Sequence, residues 1–384
     1  MNHLRILVFS ATFGAGHVRA AQALIEAWRE EDPAVEIHHV DFGAFLSKTF
    51  NTVIKSTYIE LIKHTPKLWG KFYYRTARIQ PDSVFQRFLN GLGRREFIKY
   101  IDSLNPDLII CTYPTIAGIL AGLRERQILS VPVVTVVTDY AVHSQWIHPG
   151  VDLYIVGCDN VYRGLVRRGI DPDRIKVTGI PVSPRFEKPL DRGKIAARLG
   201  LVPSRLTFLV MGGAYGVLGG AKWLCKILAE ADFPLQAIVV CGQDEKLYKS
   251  LDSIVAEARN PIVRFGFVNN VEELMAASDV IITKAGGLTV SEALTRRLPL
   301  VIYRPIPGQE EENAVFLQEI GAGRVATTEE ELELILNRIL TDPGELDRMR
   351  AAAAAALPGH AAERAVAHIL QLVSNLAASR QKIG

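Results

Sequence analysis

Two stretches of the chain share one plan. "ILVFSATFGAG" at 6–16 and "LTFLVMGGAYG" at 206–216 are each an apolar, β-branched run that empties into a glycine-rich turn. A run apolar on both faces is a strand buried on both sides, and such strands occur in parallel sheets covered by helices. Around each stretch the pattern repeats at α/β spacing. Strands are expected at 5–9, 35–40, 108–112, 133–137 and 153–156, and again at 206–210, 237–240, 263–265, 280–283 and 300–303. Between the two sets lies "VTGIPVSPRFEKPLDRG", 177–193, whose three prolines and charge cluster read as a linker. The expectation is an α/β chain of two doubly wound halves, with a ligand cleft between them at the carboxyl ends of the strands. A length of 384 residues agrees, since one hydrophobic core stops growing well below that size.

Composition removes several classes. A net charge of +3 gives no electrostatic case for nucleic acid as a partner. The four cysteines, Cys111, Cys158, Cys225 and Cys241, form no CxxC pair, which points away from zinc or a disulfide framework and towards a reducing compartment. No leader pattern precedes the first strand, and no apolar run reaches the ~18 to 20 residues that a membrane span needs. Membrane contact is therefore expected to be peripheral.

The first glycine turn carries chemistry. Gly14 and Gly16 offer backbone N–H groups at a helix start, and His17 follows them with an imidazole able to take a proton near neutral pH. Gly14-x-Gly16-x-x-Arg19 lacks the third glycine of a dinucleotide fingerprint, although Asp41 stands where a ribose-binding acid would. In the second half, "TKAGGLTVSEALTRRLPLVIYRPIPGQEEENAVFL" at 283–317 is richer still. Gly286 and Gly287 let a phosphate approach the backbone, and Thr289 adds a hydroxyl. One turn on, Glu292 is an acceptor suited to ribose hydroxyls. Gln309, Glu310 and Asn313 mix donors and acceptors in a way that suits sugar hydroxyls, or simply make a polar helix start. Asp171-Pro172-Asp173 has DxD spacing but sits in a proline turn before a strand, so no metal site is expected. Asp139, following strand 133–137, is a candidate to orient His17, to touch the acceptor, or to cap the next segment; His143 and His148 lie nearby.

Residues 45–100 hold eleven Lys or Arg against three Asp or Glu, interleaved with aromatics such as Trp69, Phe72, Tyr73 and Tyr74. This insert is longer than one crossover helix requires. It suits an anionic membrane surface, at about 1 kcal/mol per basic residue held near it. Single-stranded nucleic acid, or a solvated helical face, would use similar residues.

Taken together, the "GxGH" start, the "GGLTxSEA" helix and the "PGQExxNA" loop resemble glycosyltransferase family 28. Within it the likeness is to the branch of monogalactosyldiacylglycerol synthases and processive diacylglycerol glucosyltransferases. "VVTDYAVHSQWIHPGVDLYIV" at 136–156, "VTGIPVSPRF" at 177–186 and "MGGAYGVLGG" at 211–220 extend it over nearly the whole chain. The resemblance implies a GT-B fold, with an acceptor and membrane domain at 1–185, a UDP-sugar domain at 186–365, and a helix at 366–384 crossing back to the first. It implies inverting transfer of a hexose, glucose favoured over galactose, from UDP-glucose or UDP-galactose to diacylglycerol. No cofactor or metal is expected, and the location is the inner face of a bacterial cell membrane. His17 matches the general base. Glu292 matches the ribose ligand, and Gly286, Gly287, Leu288 and Thr289 the diphosphate-facing helix start. Gln309, Glu310 and Asn313 match sugar-facing positions, Phe267 and Val268 the uracil contact, and Gly212, Gly213 and Gly216 a second diphosphate loop. A UDP-GlcNAc transferase acting on an undecaprenyl-linked peptidoglycan intermediate, and a non-catalytic or epimerase-like UDP-sugar binder, are the alternative readings.

Overall fold

The computed structural model describes residues 4–12, 15–45, 65–76, 94–213 and 218–383. Much of the basic insert therefore lies outside the described residues. The chain divides into two compact units, residues 1–184 with 358–384, and residues 185–357.

The first unit is built on six parallel strands, β1 (Arg5–Ser10), β2 (Glu36–Asp41), β3 (Leu108–Cys111), β4 (Val133–Val136), β5 (Leu153–Val156) and β6 (Ile175–Val177), in the order β2-β1-β3-β4-β5-β6. The sheet therefore reverses direction between β1 and β3. Loops leave opposite faces there, and a crevice opens at the strand ends. β1 is apolar because helices cover both of its faces: Ile6, Leu7, Val8 and Phe9 are all buried.

Helix α1 (Ala15–Glu31) turns Ala21, Leu24, Ile25 and Trp28 inward. They meet Ala362, Ala365, Val366 and Ile369 from a helix at Ala361–Ile383, which completes the core of this unit. Small alanines let the two backbones approach closely, while Trp28 fills the space between them; truncating a buried side chain of that size costs about 3–5 kcal/mol.

The second unit repeats the design with β7 (Leu206–Met211), β8 (Leu235–Val240), β9 (Ile262–Phe265), β10 (Val280–Thr283), β11 (Leu300–Tyr303) and β12 (Gly323–Ala326), in the order β12-β11-β10-β7-β8-β9. All its pairings are parallel, and its reversal falls between β7 and β10.

The proline-bearing stretch at 177–193 is pinned at each end within its own unit. The Ser183 hydroxyl donates to the Glu26 carboxylate, and the Arg296 guanidinium donates to the carbonyls of Phe186 and Lys188 at 3.1 and 3.0 Å. The second unit ends at Leu357 rather than 365. Pro358 cannot continue the preceding helix, and Gly359 and His360 both have positive φ, so the chain turns before the alanine face at 361–369 packs against α1. Strands β6 and β12 are additions to the expected set, and each lies at a sheet edge.

Candidate functional site

In the first unit, β1 delivers the chain to Ser10 and α1 opens at Ala15, which puts Gly16 and His17 in the first helical turn at the point of strand reversal. Gly14 lies outside the described residues. The ring Nδ1 of His17 is 2.7 Å from the carbonyl oxygen of Thr112, at the end of β3. A carbonyl can only accept, so Nδ1 carries the hydrogen and Nε2 carries the lone pair. The contact is reciprocal, because the Thr112 hydroxyl donates to the backbone carbonyl of His17 at 2.9 Å. The Thr138 hydroxyl, following β4, stands 3.0 Å from the same Nδ1. Tyr113 meets the imidazole edge-on at 5.1 Å and Trp146 lies at 6.3 Å, so apolar surface surrounds the ring. That burial lowers the His17 pKa to about 4, with the Thr112 hydrogen bond opposing it. At neutral pH the imidazole is thus an uncharged base with its reactive nitrogen fixed.

The other polar residues expected here take up different positions. The two groups that orient His17 at Nδ1 come from Thr112 and Thr138; Asp139 is buried in the same turn. His143 caps the short turn Ser144–Trp146, its Nδ1 accepting from the Gln145 N–H at 3.2 Å. On its other side its Nε2 faces the Tyr73 carbonyl at 3.2 Å, which docks the helix Pro66–Thr76. His148 is buried, donating from Nε2 to the Gln145 carbonyl at 2.8 Å, and burial holds its pKa at about 4. Asp41 accepts from the Thr12 hydroxyl at 2.6 Å and the Gly43 N–H at 2.9 Å, which shapes the turn after β2. Asp171 caps its own proline turn by accepting from the Asp173 N–H at 3.0 Å. Among the described residues, no group of three His, Cys, Asp or Glu is placed to hold a metal ion.

In the second unit, the paired strands β7 and β10 end side by side at the reversal. Gly212 is buried and Gly213 has a φ of 77°, a conformation that favours glycine; Gly216 lies outside the described residues. After β10, the helix Gly287–Thr295 starts with Gly286 as its cap, a residue with no side chain to bond the first N–H groups. A methyl group built at Gly286 would meet nothing within 4 Å. Among the described residues the helix mouth is thus uncapped by its own cap residue and unobstructed at Gly286, the arrangement that binds anions. Leu288 and Glu292 are buried, Glu292 with 3% exposure, and Thr289 is half-buried. Phe267 stands 51% exposed just beyond β9, with Val268 half-buried beside it.

The helix Gln309–Glu319 brings a second loop to the same strand ends. Gln309 is half-buried. Glu310 accepts from the Ile306 N–H at 2.9 Å and faces the Lys284 ammonium at 3.5 Å. Asn313 differs from its sugar-facing expectation. It has no exposed surface, and its amide donates to the Ala285 carbonyl at 2.9 Å, so it braces the turn from below. Thr112, Thr138 and Lys284 were absent from the sequence-derived candidates.

Two doubly wound parallel sheets, each with glycine turns and polar side chains gathered at its reversal point, define the GT-B class of fold. Solved structures agree at the level of fold: Acinetobacter baumannii MurG has a TM-score of 0.62 at 17% identity, covering 96% of this chain and 99% of that one. The S. aureus MnaA–UDP co-structure has a TM-score of 0.64 at 15% identity, covering 97% of each. The model of monogalactosyldiacylglycerol (MGDG) synthase matches residues 17–182, and that of the glycosyltransferase family 28 C-terminal domain matches 209–369. A processive diacylglycerol beta-glucosyltransferase of Bacillus subtilis (strain 168) is 33% identical over 349 residues, 90% of this chain and 89% of the relative. The chain belongs to the processive diacylglycerol beta-glucosyltransferase family, within glycosyltransferase family 28.

Proposed function

We propose that this chain is an inverting transferase that moves glucose from UDP-glucose to the hydroxyl of diacylglycerol. The observation that carries the reading is the imidazole of His17, neutral and with Nδ1–H held by the Thr112 carbonyl. Nε2 takes the proton of the acceptor hydroxyl as its oxygen bonds to the anomeric carbon. The bond from that carbon to the diphosphate oxygen breaks, and its electron pair leaves with UDP. One positioned base of this kind supplies about 100- to 10,000-fold in rate. Asp139 is assigned to the acceptor side of the same turn.

The donor falls to the second unit. Gly286, Gly287, Leu288 and Thr289 offer uncapped N–H groups to the diphosphate, joined by Gly212, Gly213 and Gly216, so that charge growing on the leaving group meets fixed dipoles rather than a bound cation. Glu292 accepts from the ribose hydroxyls, and Phe267 and Val268 border the uracil. Gln309 faces the hexose, while Glu310, held by the Ile306 N–H and Lys284, and Asn313 act through the loop they brace. Gly16, in the first turn of α1, offers its backbone N–H beside His17; Gly14 is assigned to the same loop.

Among the described residues no helix is long and apolar enough to cross a membrane. Access to a lipid acceptor is assigned to peripheral binding on the inner face of the cell membrane. The helix Pro66–Thr76 supports this, since it exposes Leu68 and Phe72 beside Lys67, Lys71 and Arg75.

The test is incubation of the full chain with labelled UDP-glucose, UDP-galactose or UDP-GlcNAc and diacylglycerol in anionic vesicles, followed by chromatography of the lipids. Labelled glucosyl-diacylglycerol from UDP-glucose is expected. Donor left intact, or label released only as free sugar, would overturn the reading.

A further inference from the structure

We propose that Lys284 is the cation that meets the departing diphosphate, and that Glu310 is the tether that holds it there. This rests on the donor-site reading above. Lys284 is the first residue after β10, two positions before the open cap at Gly286. Its side chain is only 15% exposed and that of Glu310 only 13%. An ammonium carries three donors. Among the described residues its recorded partner is one Glu310 oxygen at 3.5 Å, while the other Glu310 oxygen is taken by the Ile306 N–H. Among the described residues that one long contact leaves the half-buried ammonium with donors to spare, and an anionic ligand is what would use them.

A purely structural role would make the pair a staple between the loops after β10 and β11. That staple is already in place one residue away, where the Asn313 amide holds the Ala285 carbonyl at 2.9 Å. The ion pair adds little to it, because buried pairs seldom stabilise a fold beyond what apolar packing gives. What the pair adds is a positive charge beside an uncapped helix mouth. There it donates a hydrogen bond to the oxygen that receives the electron pair when the glycosidic bond breaks.

Titration calorimetry with UDP and with uridine tests this on the full chain. Lys284→Met is expected to weaken UDP binding about 30-fold, the scale of one lost charge-assisted hydrogen bond. Uridine, which lacks the diphosphate, should bind within about twofold of wild type. Glu310→Gln, which frees the ammonium without removing it, should lower kcat for glucosyl transfer about tenfold while UDP affinity changes less; Lys284→Arg should restore part of the UDP binding. Lys284→Gln supplies the same comparison if the methionine variant is unstable. UDP affinity within threefold of wild type in Lys284→Met or Lys284→Gln would overturn the proposal, and so would equal losses for UDP and uridine, which mark a staple. A wild-type chain that binds neither ligand would instead overturn the donor site itself.

Discussion

His17 and Thr112 hold each other twice, the ring Nδ1–H donating to the Thr112 carbonyl at 2.7 Å and the Thr112 hydroxyl to the His17 carbonyl at 2.9 Å. The pairing ties the first turn of α1 to the end of β3 across the strand reversal. It also decides which nitrogen of the ring can act as a base, and it does so without a carboxylate.

That arrangement sets a pH profile. With its pKa lowered to about 4 by burial, His17 stays neutral well into the acid range. The acid limb of kcat/KM should therefore fall near pH 4 rather than near pH 6.5, measured as glucosyl transfer to vesicle-borne diacylglycerol. His17→Ala should lower kcat at least 100-fold while UDP affinity stays unchanged. Near-normal turnover in that variant would remove the base assignment.

Thr138 gives a subtler effect. Its hydroxyl is the second group at Nδ1, 3.0 Å away. Thr138→Val should leave the Thr112 contact in place but let the ring swing. We expect kcat to drop about tenfold, or about 1.4 kcal/mol of transition-state stabilisation, with KM for the donor unaffected. Thr138→Ser should recover most of the loss.

Gly286 separates binding from folding. Its φ of −65° is available to any residue, and an added methyl would touch nothing. In Gly286→Ala the loss of a good cap residue and the reduced freedom of the unfolded chain roughly offset each other, at a few tenths to 1 kcal/mol each. The melting temperature should barely change. UDP affinity should nevertheless fall at least tenfold, because the methyl occupies the space in front of the helix mouth.

Acid should weaken the fold between about pH 6.5 and pH 4. His17 and His148 both resist protonation down to about 4 in the folded chain, because burial disfavours the charged ring. In the unfolded chain they take up protons below about pH 6.5. The unfolded state therefore binds more protons across that window, and stability must rise with pH through it. Thermal melts from pH 4 to 7.5 should show this slope, and His148→Gln should flatten part of it.

The helix Pro66–Thr76 should be separable from the fold. Leu68 and Phe72, 56% and 46% exposed, sit one turn apart on one side. Leu68→Ser with Phe72→Ser should reduce sedimentation with anionic vesicles several-fold and leave the melting temperature within about 2 °C, as expected of surface changes. Unchanged vesicle binding would move the membrane contact elsewhere.

Much of this was legible from residues alone, because strands β1, β7 and β10 are continuous apolar runs ending in glycine. Edge strands β6 and β12 were not, since three or four residues such as Gly323-Arg324-Val325-Ala326 carry no clear apolar period. The partners of His17 were hidden for a different reason. A backbone carbonyl leaves no mark on the residue that bears it, and Thr112 and Thr138 look like ordinary β-branched strand ends. Asn313 reads as sugar-facing because its amide offers both donor and acceptor and matches the family's hexose-facing positions; the need to satisfy the Ala285 carbonyl draws it inward instead.

The helix at Ala361–Ile383 has a consequence for synthesis. A ribosome must deliver all of 185–357 before it delivers the alanines that close the core around Trp28. The second unit can thus mature while its earlier-made neighbour is still waiting for its last helix, and stalling anywhere before residue 361 would strand a half-built first unit with tryptophan and leucine bared to chaperones and proteases.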